Sequence, residues 1–137
     1  MRLSGGYPVD ETTPVNLREN ASTLVAEFDG KTWDRLGVRT HVAFALLTDA
    51  KGREIARDRM VIPLFKEMKW PRARIRVGWS GGRAVFTSPT FAWRVCLDLD
   101  GERRLPDNFF DVWPDVPTVL TWPAGLGKPR ILRTGNR

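Results

Sequence analysis

Apolar and polar positions alternate with period two along most of this chain, the pattern of half-buried β-strands. Residues 38–47 read VRTHVAFALL. Val38, Val42, Phe44 and Leu46 share one face, and Arg39 and His41 point to the other. Asp49-Ala50-Lys51-Gly52 follows as a polar turn with glycine at its end. Residues 53–62 return as a second strand, and the adjacent pair Ile55-Ala56 predicts a bulge in it. Residues 72–79 place Arg72, Arg74 and Arg76 on one side and Ala73, Ile75, Val77 and Trp79 on the other. Ser80-Gly81-Gly82 is a tight hairpin signal leading into residues 83–88. Residues 91–99 alternate most regularly, with Phe91, Trp93, Val95, Leu97 and Leu99 opposite Ala92, Arg94, Cys96 and Asp98. Asp100-Gly101 then marks a turn. A late strand is expected at residues 117–122 and a short one at 131–133.

No segment keeps the i, i+3, i+4 spacing of a helix for two turns, and residues 31–37 could hold one turn at most. Ten prolines and twelve glycines are spread through the chain and interrupt any long helix. Short strands punctuated this often predict an all-β antiparallel fold, a β-sandwich or a small barrel. Two prolines and a break in the alternation put a boundary between Pro63 and Pro71. The expected core is Val42, Phe44 and Leu46 from the first half. From the second half it takes Ile75, Val77, Trp79, Phe86, Phe91, Trp93, Val95, Leu97, Phe109, Phe110, Leu120 and Trp122.

Composition narrows the function. With 137 residues, the chain is shorter than the roughly 200 residues that a complete (β/α)₈ barrel needs. An apolar fraction of 42% supports a real core. One cysteine and one histidine can build neither an intrachain disulfide nor a zinc site, and no cofactor is expected. No apolar run is long enough to span a membrane. The first residues lack the apolar stretch of a signal peptide, which favours a cytoplasmic location. The net charge of +6 is unevenly placed. Lys66, Lys69, Arg72, Arg74, Arg76 and Arg83 oppose only Glu67, and residues 128–137 carry Lys128, Arg130, Arg133 and Arg137 with no acid. Because these cations alternate with apolar residues, they read as solvated strand faces, and nucleic acid is not the expected partner.

The candidate chemistry is sparse. His41 shares a face with Arg39 and has no identifiable partner, so it reads as an exposed strand residue. Cys96 reads as unreactive. Asp98 and Asp100 stand about 7 Å apart by strand rise, within the range of paired glycosidase carboxylates, but the Asp100-Gly101 turn already accounts for Asp100. Six tryptophans suggest stacking platforms for sugar rings. Trp33, Trp70 and Trp113 lie in connections and are the candidate sugar platform. Asn20-Ala21-Ser22 matches the N-glycosylation acceptor pattern, which needs a secretory context.

The most distinctive stretch is SPTFAWRVCLDLDGERRLPDNFFDVWPDVPTVL, residues 88–120. Its centre, Asp107-Asn108-Phe109-Phe110-Asp111, followed by Trp113-Pro114, resembles the DN-[FY]-FD turn at the C-terminal end of family 2 glycoside hydrolases of the β-mannosidase type. The preceding strand and the PTVL segment match that comparison in order. So do Leu64-Phe65-Lys66-Glu67-Met68, the turn at residues 49–52 and Asn20-Ala21-Ser22-Thr23, giving coverage of residues 15–122. The resemblance implies an immunoglobulin-like sandwich at residues 65–122. Residues 15–64 would then be the end of a preceding sandwich, residues 1–14 an irregular segment and residues 123–137 a basic tail. It also implies that the catalytic carboxylates belong to a barrel domain that this chain lacks. The chain itself is therefore expected to be an accessory domain without enzymatic activity. Its expected partner is a catalytic domain or a second copy; the alternatives are a carbohydrate-binding module using exposed tryptophan and a basic nucleic-acid-binding β-domain using the Arg72/Arg74/Arg76 stripe and the basic tail.

Overall fold

The computed structural model describes residues 1–136. The fold is all-β: among the described residues seven short strands form small antiparallel sheets, with one short α-helix and one 3₁₀ turn. The residues divide into two compact units. The first contains Met1–Arg2 and Tyr7–Met68, and the second contains Leu3–Gly6 and the chain from Lys69 onward.

In the first unit, helix α1 spans Gly30–Leu36. Asp29 caps it by accepting a 2.8 Å hydrogen bond from the Thr32 amide, and Gly37 ends it at a φ of 91°. Strands β1 (Ala43–Thr48) and β2 (Glu54–Met60) form a two-stranded hairpin. Its turn is organised by Asp49, whose carboxylate accepts from the amides of Lys51 and Arg53, each at 2.9 Å, and from the Arg53 guanidinium. Leu47 pairs with Ala56 but Thr48 pairs with Glu54, so Ile55 is the extra residue of the expected bulge. Residues 11–30 run exposed, without strand or helix until Gly30.

The second unit holds a three-stranded sheet ordered β3 (Arg76–Ser80), β4 (Arg83–Thr87) and β7 (Thr118–Thr121). Ser80 pairs with Arg83 across Gly81-Gly82, whose φ values of 56° and 72° lie in the left-handed region that a type I′ two-residue turn requires at both positions. A second antiparallel pair joins β5 (Ala92–Val95) to β6 (Phe110–Val112). Both sheets feed one apolar cluster: Ala84, Phe86 and Leu120 from the first, Ala92, Val95, Phe110 and Val112 from the second, with Leu97 and Trp122. Phe86 and Phe110 meet edge to face at 4.9 Å.

Several expectations from the pattern are corrected. Residues 91–99 do not form one regular strand. Ala92 pairs with Val112 and Val95 with Phe110, so β5 carries one extra residue, and Arg94 takes a φ of 47°. The bulge shifts the phase of the alternation. Beyond it, residues 131–136 cover the face that was expected to be wet: Cys96 pairs with Arg133 and is fully buried. The supposed basic tail is thus part of this unit over those residues. Trp79, Leu46 and Phe109 were expected in the core but are 49%, 41% and 50% exposed. Trp79 lies on edge strand β3, Leu46 lies on a hairpin with no third strand, and Phe109 has a φ of 63° that turns it away from the cluster. Leu3, in the segment expected to be irregular, is buried, and its carbonyl accepts from the Phe91 amide at 2.9 Å.

Candidate functional site

The DNFFD stretch is a clasp. The chain leaves β5, runs through a long loop and returns at β6. A loop of this length exposes backbone groups that need partners, and the motif's polar side chains supply them. Asn108 Oδ1 accepts from the Leu97 amide at 2.9 Å, and its Nδ2 donates to the Asp98 carbonyl. Asp107 accepts from the Asn108 amide at 2.7 Å, and Asp111 accepts from the Arg94 amide at 3.0 Å. The Thr118 hydroxyl donates to the Asp111 carbonyl at 3.0 Å. Phe110 anchors the clasp in the core, while Phe109 stays at the surface.

The carboxylates noted above serve the same loop. Asp98 is buried, and its two oxygens accept from the amides of Asp100 at 3.3 Å and Arg103 at 2.8 Å. It shapes a turn, and its geometry is not that of an acid facing a second carboxyl across a cleft. The Cys96 thiol donates to the Asp98 carbonyl at 3.5 Å. Among the described residues, no three His, Cys, Asp or Glu side chains gather into a group that could hold a metal ion.

The tryptophans fall differently from the expectation. Trp113 is 1% exposed and Trp33 7%, so neither offers a ring face to a sugar. Trp113 packs on Phe91 at 4.7 Å. Trp70 is half-buried and stacks on Trp93 at 5.2 Å with planes 9° apart. Trp93 is also covered by the Arg94 guanidinium at 5.0 Å. The indole open to solvent is Trp79, which the period-two pattern had assigned to the core. The face assignment itself holds, because Trp79 pairs with Ala84 on the core side of the sheet. What pattern alone could not show is that Trp79 sits on an edge strand and stays 49% exposed.

His41 is buried at 4% exposure, another correction. The bridge from Arg2 to His41 covers it, a pairing of residues far apart in sequence. Its Nδ1 lies 3.0 Å from the Thr40 hydroxyl and 3.2 Å from the Gly37 carbonyl, and Nε2 has no partner. Burial is the larger influence on its basicity and holds the imidazole below its ordinary value. The Gly37 hydrogen bond opposes this, and the Met1 amine and Arg2 reinforce it. Arg72, Arg74 and Arg76 all face solvent, with Ala73, Ile75 and Val77 packed on the core behind them.

The β1–β2 hairpin stands apart chemically. Leu46, Ile55 and Met60, together with Ile62 just beyond it, are all exposed, and among the described residues neither strand has a second partner strand in its sheet. Arg53–Asp49 at 2.6 Å and Arg57–Glu54 tie its surface together. An isolated two-stranded hairpin is at best marginally stable in water, and a strand edge without a partner strand is a template for pairing with another chain.

No protein-family model matches the chain, and no curated protein sequence matches it either.

Proposed function

We propose that this chain is a non-catalytic accessory β-module that docks on another polypeptide, either a catalytic chain or a second copy of itself. Its second unit is read as a small immunoglobulin-like sandwich. The resemblance of the 107–111 clasp to the C-terminal turn of family 2 β-mannosidases makes a glycoside hydrolase catalytic domain the partner to test first. The β1–β2 hairpin carries the proposal, with two open edges and exposed Leu46, Ile55, Met60 and Ile62. Leu46 and Met60 lie on opposite faces of the hairpin, so apolar side chains stand exposed on both sides of it, and strand edges without a partner strand beside them favour association over a monomeric state. The clasp supports the non-catalytic part, because Asp98, Asp107 and Asn108 bond to backbone of their own loop.

Multi-angle light scattering over a concentration series, alone and with a separately expressed family 2 barrel domain, tests this. The expected result is self-association or a stable complex, weakened by placing charge at Ile55 and Met60. A concentration-independent monomer that ignores the barrel domain overturns it. A second reading, a carbohydrate-binding module, now rests on Trp79 and not on Trp33 or Trp113. An unchanged tryptophan emission at millimolar manno-oligosaccharide would exclude it.

A further inference from the structure

The two basic stretches of the chain meet within the second unit. Arg72, at the head of the arginine stripe, and Arg133, in the C-terminal segment, line the same open groove of about 400 Å³. Ala73, Ile75 and Ile131 give it an apolar floor, and Thr134 and Asn136 complete the wall. No acidic side chain lines it among the described residues. Neither Arg72 nor Arg133 is drawn into the ion pairs of the first unit.

The wall is fixed before any ligand arrives. Asn136 Nδ2 donates to the carbonyls of Pro71 and Phe91, each at 2.8 Å, and its Oδ1 accepts from the Trp93 amide at 2.7 Å. Cys96 holds the same segment: its amide donates to the Arg133 carbonyl and its carbonyl accepts from the Leu132 amide, each at 2.9 Å, and from the Arg133 amide at 3.5 Å. The amide of Asn136 is therefore fully engaged as a positioning group. Arg72 and Arg133, both exposed on the groove, remain to meet a ligand. Arginine forks match the paired oxygens of a carboxylate or phosphate. Preorganised walls lower the ordering cost of binding, and the volume lies in the range of small-molecule sites, about 300–1,000 Å³.

We propose that this groove binds a small organic anion. Arg72 and Arg133 would hold its carboxylate or phosphate oxygens, and an apolar or ring-shaped body would lie on Ala73, Ile75 and Ile131. This inference is independent of the docking role, which resides in the other unit.

The test is a methyl and amide NMR titration of the full chain with phenyl phosphate, benzoate, inorganic phosphate and neutral benzyl alcohol. The expected result is saturable shifts confined to Ala73, Ile75, Ile131 and Thr134, with phenyl phosphate or benzoate binding more tightly than inorganic phosphate. Preference for phenyl phosphate assigns a phosphate ester, and preference for benzoate assigns a carboxylic acid. R72A and R133A should each weaken binding about tenfold, while K128A, a cation outside the groove, should not. Both arginines are exposed, so the spectra also report whether each variant stays folded. Shifts spread over the basic surface, equal binding of benzyl alcohol, or affinity indifferent to R72A and R133A would overturn the proposal.

Discussion

Replacing Asn108 by alanine should be among the costliest polar substitutions in the chain. The side chain satisfies two backbone groups at once, the Leu97 amide at 2.9 Å and the Asp98 carbonyl. Leu97 is fully buried, so its amide has little access to water once the partner is gone. Each buried group left without a partner costs about 1–3 kcal/mol. The Asp98 carbonyl keeps a weak bond from the Cys96 thiol, which places its loss at the low end. The expected destabilisation is about 2–4 kcal/mol. At about 4–8 °C per kcal/mol for a domain of 60–100 residues, the melting temperature should fall by about 10 °C or more. N108D should not rescue it, because a carboxylate cannot donate to the Asp98 carbonyl. Asp107, by contrast, is exposed and bonds only the next amide, so D107A should stay within about 0.5 kcal/mol of the parent. Urea unfolding followed by tryptophan emission and far-UV circular dichroism measures both variants. If N108A lies within about 0.5 kcal/mol of the parent, or matches D107A, the clasp does not hold the loop as argued.

Two further outcomes follow from packing and burial. A methyl group on Gly135 would stand 2.3 Å from the Trp93 ring, so G135A should cost about 1–3 kcal/mol through overpacking and disturb the Trp70–Trp93 stack. An unchanged near-UV circular dichroism spectrum would contradict this. Burial holds His41 below its ordinary value of 6.5, so the unfolded chain takes up that proton first. Its contribution to stability is complete above about pH 6.5, declines as the pH falls toward the lowered folded value, and levels off below it. H41F should flatten that part of the stability–pH curve, and identical curves for the two proteins would refute the assignment.

The strands were legible where neighbours in sequence decide the outcome. The Gly81-Gly82 turn, the Ile55 bulge and the alternation over Arg72–Val77 all follow from local chemistry. The sequence also marked Asp107–Asp111 as unusual, and the structure shows what those side chains hold. Burial set by distant segments was not legible. Cys96 reads as solvent-facing until residues 131–133 are laid against it, and His41 until Arg2 pairs across it. Trp79 shows the reverse, a core-side residue on an edge strand that stays half exposed. The arginine groove has the same origin: Arg72 and Arg133 lie far apart in the chain, and the pairing of Cys96 with Arg133, together with the Asn136 bonds to Pro71, Phe91 and Trp93, brings the C-terminal segment to the stripe.

Asn136 also sets the order of events during synthesis. Its amide reaches back to Pro71, Phe91 and Trp93, across 65, 45 and 43 residues. A ribosome delivers the partners long before it delivers the bond. Until Leu132–Asn136 clear the exit tunnel, Cys96 and one face of Trp93 lie uncovered, and the nascent unit exposes apolar surface open to wrong association. The first unit can settle while this wait continues. Slow translation or chaperone capture would therefore act on the stretch from Lys69 to Trp122, and a stall near its end would leave a nearly complete sheet that cannot yet close.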